Sequence, residues 1–142
     1  LWKMLIMRNS FCKGEMLYVE SEDYNKISIQ AQFHQWKRAD GSMVTLDPVQ
    51  RSDVPFETCF AFRNGKEHGA VIINRSATLP RKIVLVSGKA ANAKAETAVI
   101  NAHSPENQSL EESYGESSFN SEGRLSMIIP PCSVTFLRWS QE

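Results

Sequence analysis

Cys59 and His68 lie at the two sides of a short polar connection, where a hairpin could set a thiol opposite a base. A working dyad needs more, namely a group to orient the imidazole and donors for an oxyanion, and neither is recognisable nearby. No GxSxG elbow is present, and no cysteine has a papain-type or caspase-type context. His34 and His103 stand alone, phosphate-cradling glycine loops are missing, and Cys12, Cys59 and Cys132 are far apart with no CxxC pair. Hydrolysis of a glycosidic bond would need two carboxylates across a cleft, one of them raised in pKa. The acids gather instead in polar stretches such as Glu20, Glu22 and Asp23, or Glu111, Glu112 and Glu116, where water keeps them ordinary. The residues therefore assign no catalytic group, no cofactor and no metal.

What remains is recognition chemistry. Sugar rings stack their apolar faces on aromatic side chains, and the candidates are Trp36, Tyr114, Phe119 and Trp139. Trp36, Tyr114 and Trp139 are the expected sugar or inter-domain contacts, with a seam or core position favoured for the two tryptophans. Sixteen basic residues balance sixteen acidic ones, so no global field draws the chain to nucleic acid or to anionic lipid. The apolar opening is too short to span a bilayer and lacks the cleavage site of a signal peptide. Neither a nucleic acid nor a membrane is expected as partner. The three cysteines, an odd number, leave at least one free thiol; small core residues explain all three, and a disulfide stays open.

The elements that must position these residues are mostly strands. At 142 residues, 42% hydrophobic and 23% charged, the chain can build one core. LWKMLIM at 1–7 places Trp2 and Ile6 one helical turn apart, giving a short helix that ends in the polar residues up to Gly14 and needs an apolar partner. The period then changes to two. Ile27, Ile29, Ala31 and Phe33 share one face, Asp40-Gly41 signals a turn before MVTL at 43–46, and DPVQRSDVP at 47–55 reads as a loop. Residues 58–62 and 70–74 form a hairpin, followed by strands at 82–86 and 97–102. Residues 104–122 read as a long surface loop with one short strand near Phe119. RLSMII and SVTFLRW close the chain around Pro130-Pro131, a corner because proline gives no ladder donor.

The class is all-β: an antiparallel β-sandwich, Greek-key or jelly-roll-like, of about eight or nine strands with a short N-terminal helix. Its core should hold Ile29, Phe33, Ile72, Leu85, Leu125, Met127 and Phe136 between two sheets.

Three stretches, HGAVIINRSATLPRKIVLVSG at 68–88, TAVINAHSPENQS at 97–109 and GRLSMIIPPCSVTFLRW at 123–139, resemble the C-terminal β-sandwich of clan A glycoside hydrolases. The likeness is to families 30, 39 and 51, of α-L-arabinofuranosidase and xylosidase type. The third stretch is the most specific, with its apolar strand, Pro-Pro corner and second apolar strand; Cys132 departs from the aromatic or small residue common there. The resemblance implies that residues 1–14 are the end of a preceding barrel helix and its linker, and that residues 15–142 are the sandwich. It further implies a (β/α)-barrel partner in cis, docked on Trp2 and Ile6, that carries both catalytic carboxylates. On that reading the chain is a non-catalytic accessory domain of a glycoside hydrolase, with one loop at the rim of the active site, secreted or periplasmic. The alternative is an independent carbohydrate-binding or adhesion module. The sequons at Asn74 and Asn107 carry little weight.

Overall fold

The computed structural model describes residues 2–22, 26–30, 34–46, 50–102 and 109–141, with the side chains of 26–30, 34, 36, 46 and 50–53 outside that description. It falls into two compact units, Tyr24–Phe56 and the remainder of the chain.

The larger unit begins with α1 (Trp2–Phe11) and β1 (Glu15–Leu17). It continues with β6 (Glu57–Asn64), β7 (Glu67–Asn74), β8 (Arg81–Val86), β9 (Lys94–Asn101), β10 (Glu111–Ser118), β11 (Arg124–Ile129) and β12 (Ser133–Ser140). Six strands form one antiparallel sheet in the order β1-β6-β7-β12-β9-β10, while β8 and β11 pair apart from it. Each face of the large sheet carries its own apolar cluster. On one face Ala70, Ile72 and Leu137 pack with Leu125 and Ile129 of the β8–β11 pair, making the sandwich. On the other face Val71, Ala98, Ile100 and Phe136 pack with Met7 and Cys12 of α1 and its exit. β12 is consequently buried on both sides, with Phe136 turned to the helix and Leu137 to the second layer.

The chain changes layer at corners that lie together in pairs. At one end Asn74, buried to 1% exposure, donates through Nδ2 to the carbonyls of Leu79, Ile129 and Pro130 at 3.1, 3.2 and 2.8 Å. Its Oδ1 accepts from the Ser76 amide at 2.9 Å, and the Cys132 amide donates to the Ser76 carbonyl at 2.9 Å. One amide thus satisfies the carbonyls that the Pro-Pro corner leaves without ladder partners. Cys132 sits in that corner at φ 49°, a left-handed conformation that costs a side chain something and is held by these bonds. At the other end the Ser87 amide donates to Gly123 and the Phe119 amide to Ala93, both at 2.9 Å.

The smaller unit contains β2 (Lys26–Gln30) paired with β5 (Gln50–Pro55), and β3 (His34–Lys37) paired with β4 (Met43–Leu46). Its β3–β4 turn is the one Asp40-Gly41 signals. Gly41 has φ 86°, and Asp40 accepts from the Ser42 amide and hydroxyl, which holds its carboxyl below the usual carboxylate range.

The all-β sandwich class holds, with twelve strands among the described residues. Three element readings change. α1 runs on to Phe11 through Asn9 and Ser10, because the Ser10 hydroxyl returns to the Ile6 carbonyl at 3.0 Å and Phe11 packs on Phe136 with ring centroids 6.1 Å apart. β5 occupies much of the expected 47–55 loop, and β10 is a full strand in the expected loop of 104–122. Both are polar strands whose ladder with a neighbour replaces the missing hydrophobic signal. The core is also two clusters rather than one. Ile72 and Leu125, with Leu85 and Met127 beside them, lie between the layers, while Phe136 belongs to the helix side. Ile29 falls in β2 with its side chain outside the described residues, as does all of Phe33.

Candidate functional site

Cys59 and His68 do not meet. In the β6–β7 ladder Cys59 stands opposite Ile72 and His68 opposite Arg63, four rungs away. His68 instead stacks on Trp139 with centroids 5.7 Å apart and planes at 21°. Burial pushes the Cys59 thiol up to about 11, the reverse of what a nucleophile needs, and burial does the same to Cys12. All three cysteines are free, and no cluster among the described residues could hold a metal. His34 lies in β3 opposite Leu46, its side chain outside the description, and His103 lies outside the described residues.

The aromatic candidates separate. Phe119 is buried to 2% exposure and packs on Trp139 at 5.2 Å between centroids, so it is core rather than surface. Trp139 is 5% exposed, and its ring contacts His68 and Phe119, which leaves no open platform for a sugar. Trp36 lies in β3 opposite Val44, with its side chain outside the described residues. Among the candidates with described side chains, Tyr114 alone is an open ring, at 68% exposure on β10.

Tyr114 belongs to a larger surface that continues onto α1. Its hydroxyl donates to Glu112 at 3.1 Å, and Glu112 pairs with Lys3 of the helix at 2.6 Å. The hydrogen bond and the charge of Glu112 raise Lys3, while the bonds from Lys3 and Tyr114 lower Glu112. Both groups therefore stay charged across the neutral range. Beside Lys3, the outer side of α1 presents Trp2, Leu5 and Ile6 at 74%, 43% and 51% exposure. The opposite side of the same helix meets the sheet through Met7, with Met4 and Phe11 partly buried. Trp2 and Ile6 thus stand where the helical spacing puts them. The inward set follows the same spacing at Met4, Met7 and Phe11, a second stripe hidden in the sequence because the segment is apolar nearly all round.

Helix and sheet touch at a glycine. A Cβ on Gly69 would lie 2.1 Å from the Phe11 carbonyl oxygen, so only glycine lets the end of α1 seat on β7. Arg138 adds to the contact, its guanidinium 5.4 Å from the Phe11 ring centroid and paired with Glu96 at 2.5 Å.

No family model and no curated protein matches the chain. Solved structures do. An arabinofuranosidase superposes with a TM-score of 0.62 at 12% identity, over 83% of this chain and 24% of its own. The α-L-arabinofuranosidase from Thermotoga maritima gives 0.60 at 11% identity, over 82% and 24%. CelM2, a bifunctional glucanase-xylanase from a metagenome library, gives 0.51 at 20% identity, over 67% and 18%. At these identities the likeness is one of fold: the chain is built like a segment that makes up about a quarter of an arabinofuranosidase.

Proposed function

We propose that the chain is the non-catalytic accessory β-sandwich of a glycoside hydrolase, and that it stabilises a (β/α)-barrel in cis by docking it on the outer side of α1. The carrying observation is the apolar ridge of Trp2, Leu5 and Ile6, exposed on a helix whose other side is seated on its own sheet. A helix apolar on both sides is a helix between two partners. Tyr114 and the Lys3–Glu112 pair give the ridge a polar border, the usual arrangement of an interface with a dry centre and a wet rim. The fold shared with about a quarter of an arabinofuranosidase supports a barrel as the missing side.

Removing the ridge tests this. In the variant Trp2→Lys/Ile6→Glu the chain should self-associate less in light scattering at matched concentration while its melting temperature stays within a few degrees of the parent. Covering such apolar surface is worth roughly 25 cal/mol per Å². A parent that is already monomeric, together with a variant that unfolds, would mean that the sandwich covers the ridge itself and that no barrel is needed.

A further inference from the structure

We propose that the end of the large sheet opposite the Asn74 corner carries a second recognition site, a groove for a neutral oligosaccharide, separate from the α1 ridge. Four adjacent strands, β7, β12, β9 and β10, expose their ends there beside the turn joining β8 to β9, and they border an open groove of about 820 Å³. That volume is in the range of ligand sites.

The groove is built rather than loose. Asn92 holds φ 58°, a conformation that side chains seldom adopt. It is fixed there by its amide, which donates to the Asn120 carbonyl at 3.0 Å, and the Phe119 amide donates to Ala93 at 2.9 Å. Across the groove the Gln141 amide donates to the Lys66 carbonyl at 3.0 Å. Backbone bonds thus fix both rims before any ligand arrives.

The lining selects the ligand class. Lys89, Lys94 and Arg138 are matched by Glu67, Glu96 and Glu116, so the groove carries no net charge. A phosphate or a polyanion would meet three carboxylates, and a polycation three ammonium or guanidinium groups. Asn92, Ser140 and Gln141 add neutral donors and acceptors, and Ala91 and Ala93 expose a short apolar strip, with Ala95 buried in the core. A polyhydroxylated chain has the complementary surface, with hydroxyls for the polar rim and C–H faces for the alanine strip. Trp139 forms part of the wall, and its indole N–H is buried without an acceptor. That N–H is enclosed among its neighbours, so the ring serves as a reporter of the groove and not as a contact to the ligand.

The test follows the three indole N–H resonances of the full chain during titration with xylohexaose, cellohexaose and linear arabinohexaose, with Trp139 assigned through Trp139→Phe. Saturable movement of the Trp139 signal is expected at millimolar sugar, with Trp2 unmoved. In Ala93→Glu, which fills the strip and unbalances the charge, the affinity should fall at least tenfold while the rest of the spectrum keeps its dispersion. No movement of Trp139 with any of the three sugars overturns the groove, as does equal binding by Ala93→Glu. Tighter binding of inositol hexakisphosphate than of the neutral sugars overturns the ligand class. The α1 ridge is untouched by either variant, so failure here leaves the accessory-domain reading standing, and the scattering experiment is blind to the groove.

Discussion

At the scale of single residues, the stretch "IINRSATLP" carries its meaning in Asn74. Its side chain serves three carbonyls from two chain segments. Removing it takes the donor from the buried Ile129 carbonyl and the half-buried Leu79 carbonyl, while Pro130 keeps the Ser133 hydroxyl at 2.6 Å. A buried acceptor left unpaired costs about 1–3 kcal/mol. Asn74→Ala should therefore lower unfolding free energy by about 2–3 kcal/mol. Asn74→Asp should cost more, since a carboxylate oxygen would face oxygens where Nδ2 now donates. Urea titration of the two variants checks the order, and an aspartate as stable as the parent would dismiss the clamp. The same burial removes Asn74 from use as a glycosylation acceptor in the folded chain. The motif was legible as a strand-turn-strand corner. Asn74's role was not, because two of its carbonyl partners come from residues 129 and 130, and spacing along the chain says nothing of such pairings.

At the scale of elements, strongly patterned segments declared themselves and polar ones did not. RKIVLV and RLSMII read as short apolar runs bounded by turn residues and form the β8–β11 pair, with Leu85 opposite Leu125. β10 reads EESYGESS, almost without apolar residues, and exists because β9 supplies an eight-rung ladder. The docking of α1 was equally invisible, resting on Gly69 and the Phe11 carbonyl. Gly69→Ala should lift the end of the helix from the sheet, and thiol labelling reads this directly. Cys12 and Cys59 are held up to about 11, so both should alkylate far more slowly at pH 8 than in urea. Their burial adds a pH dependence of known sign. The folded chain keeps these protons longer, so stability is unaffected at neutral pH and falls between the ordinary thiol range and about pH 11. In Gly69→Ala, Cys12 should become reactive at pH 8 while Cys59, on the far side of the sheet, stays protected. Equal exposure of the two would point to global unfolding and not to undocking.

At the scale of the whole molecule, the accessory-domain reading predicts an inert protein. The chain should release no nitrophenol from aryl glycosides of arabinose, xylose, glucose or galactose, because the reading places both carboxylates on another domain. Turnover above a blank, lost on changing one glutamate of this chain to glutamine, would defeat the reading outright. Class and layering were legible here because alternation, Gly turns and the Pro-Pro corner agree with one another. The order of strands was not, since β12 inserts between β7 and β9 rather than beside its sequence neighbour.

That insertion has a consequence for how the protein is made. β12 follows the other described strands in sequence, yet it is the one on which both apolar clusters close, through Phe136 on one side and Leu137 on the other. While residues up to β11 emerge from the ribosome, β7 and β9 have no common neighbour, and their inner edges and apolar faces stay open to chaperones or to one another. Union of the two parts of the large sheet must therefore wait for β12, and a chain cut just after the Pro-Pro corner would keep β1-β6-β7 and β9-β10 as separate pieces with no strand to join them.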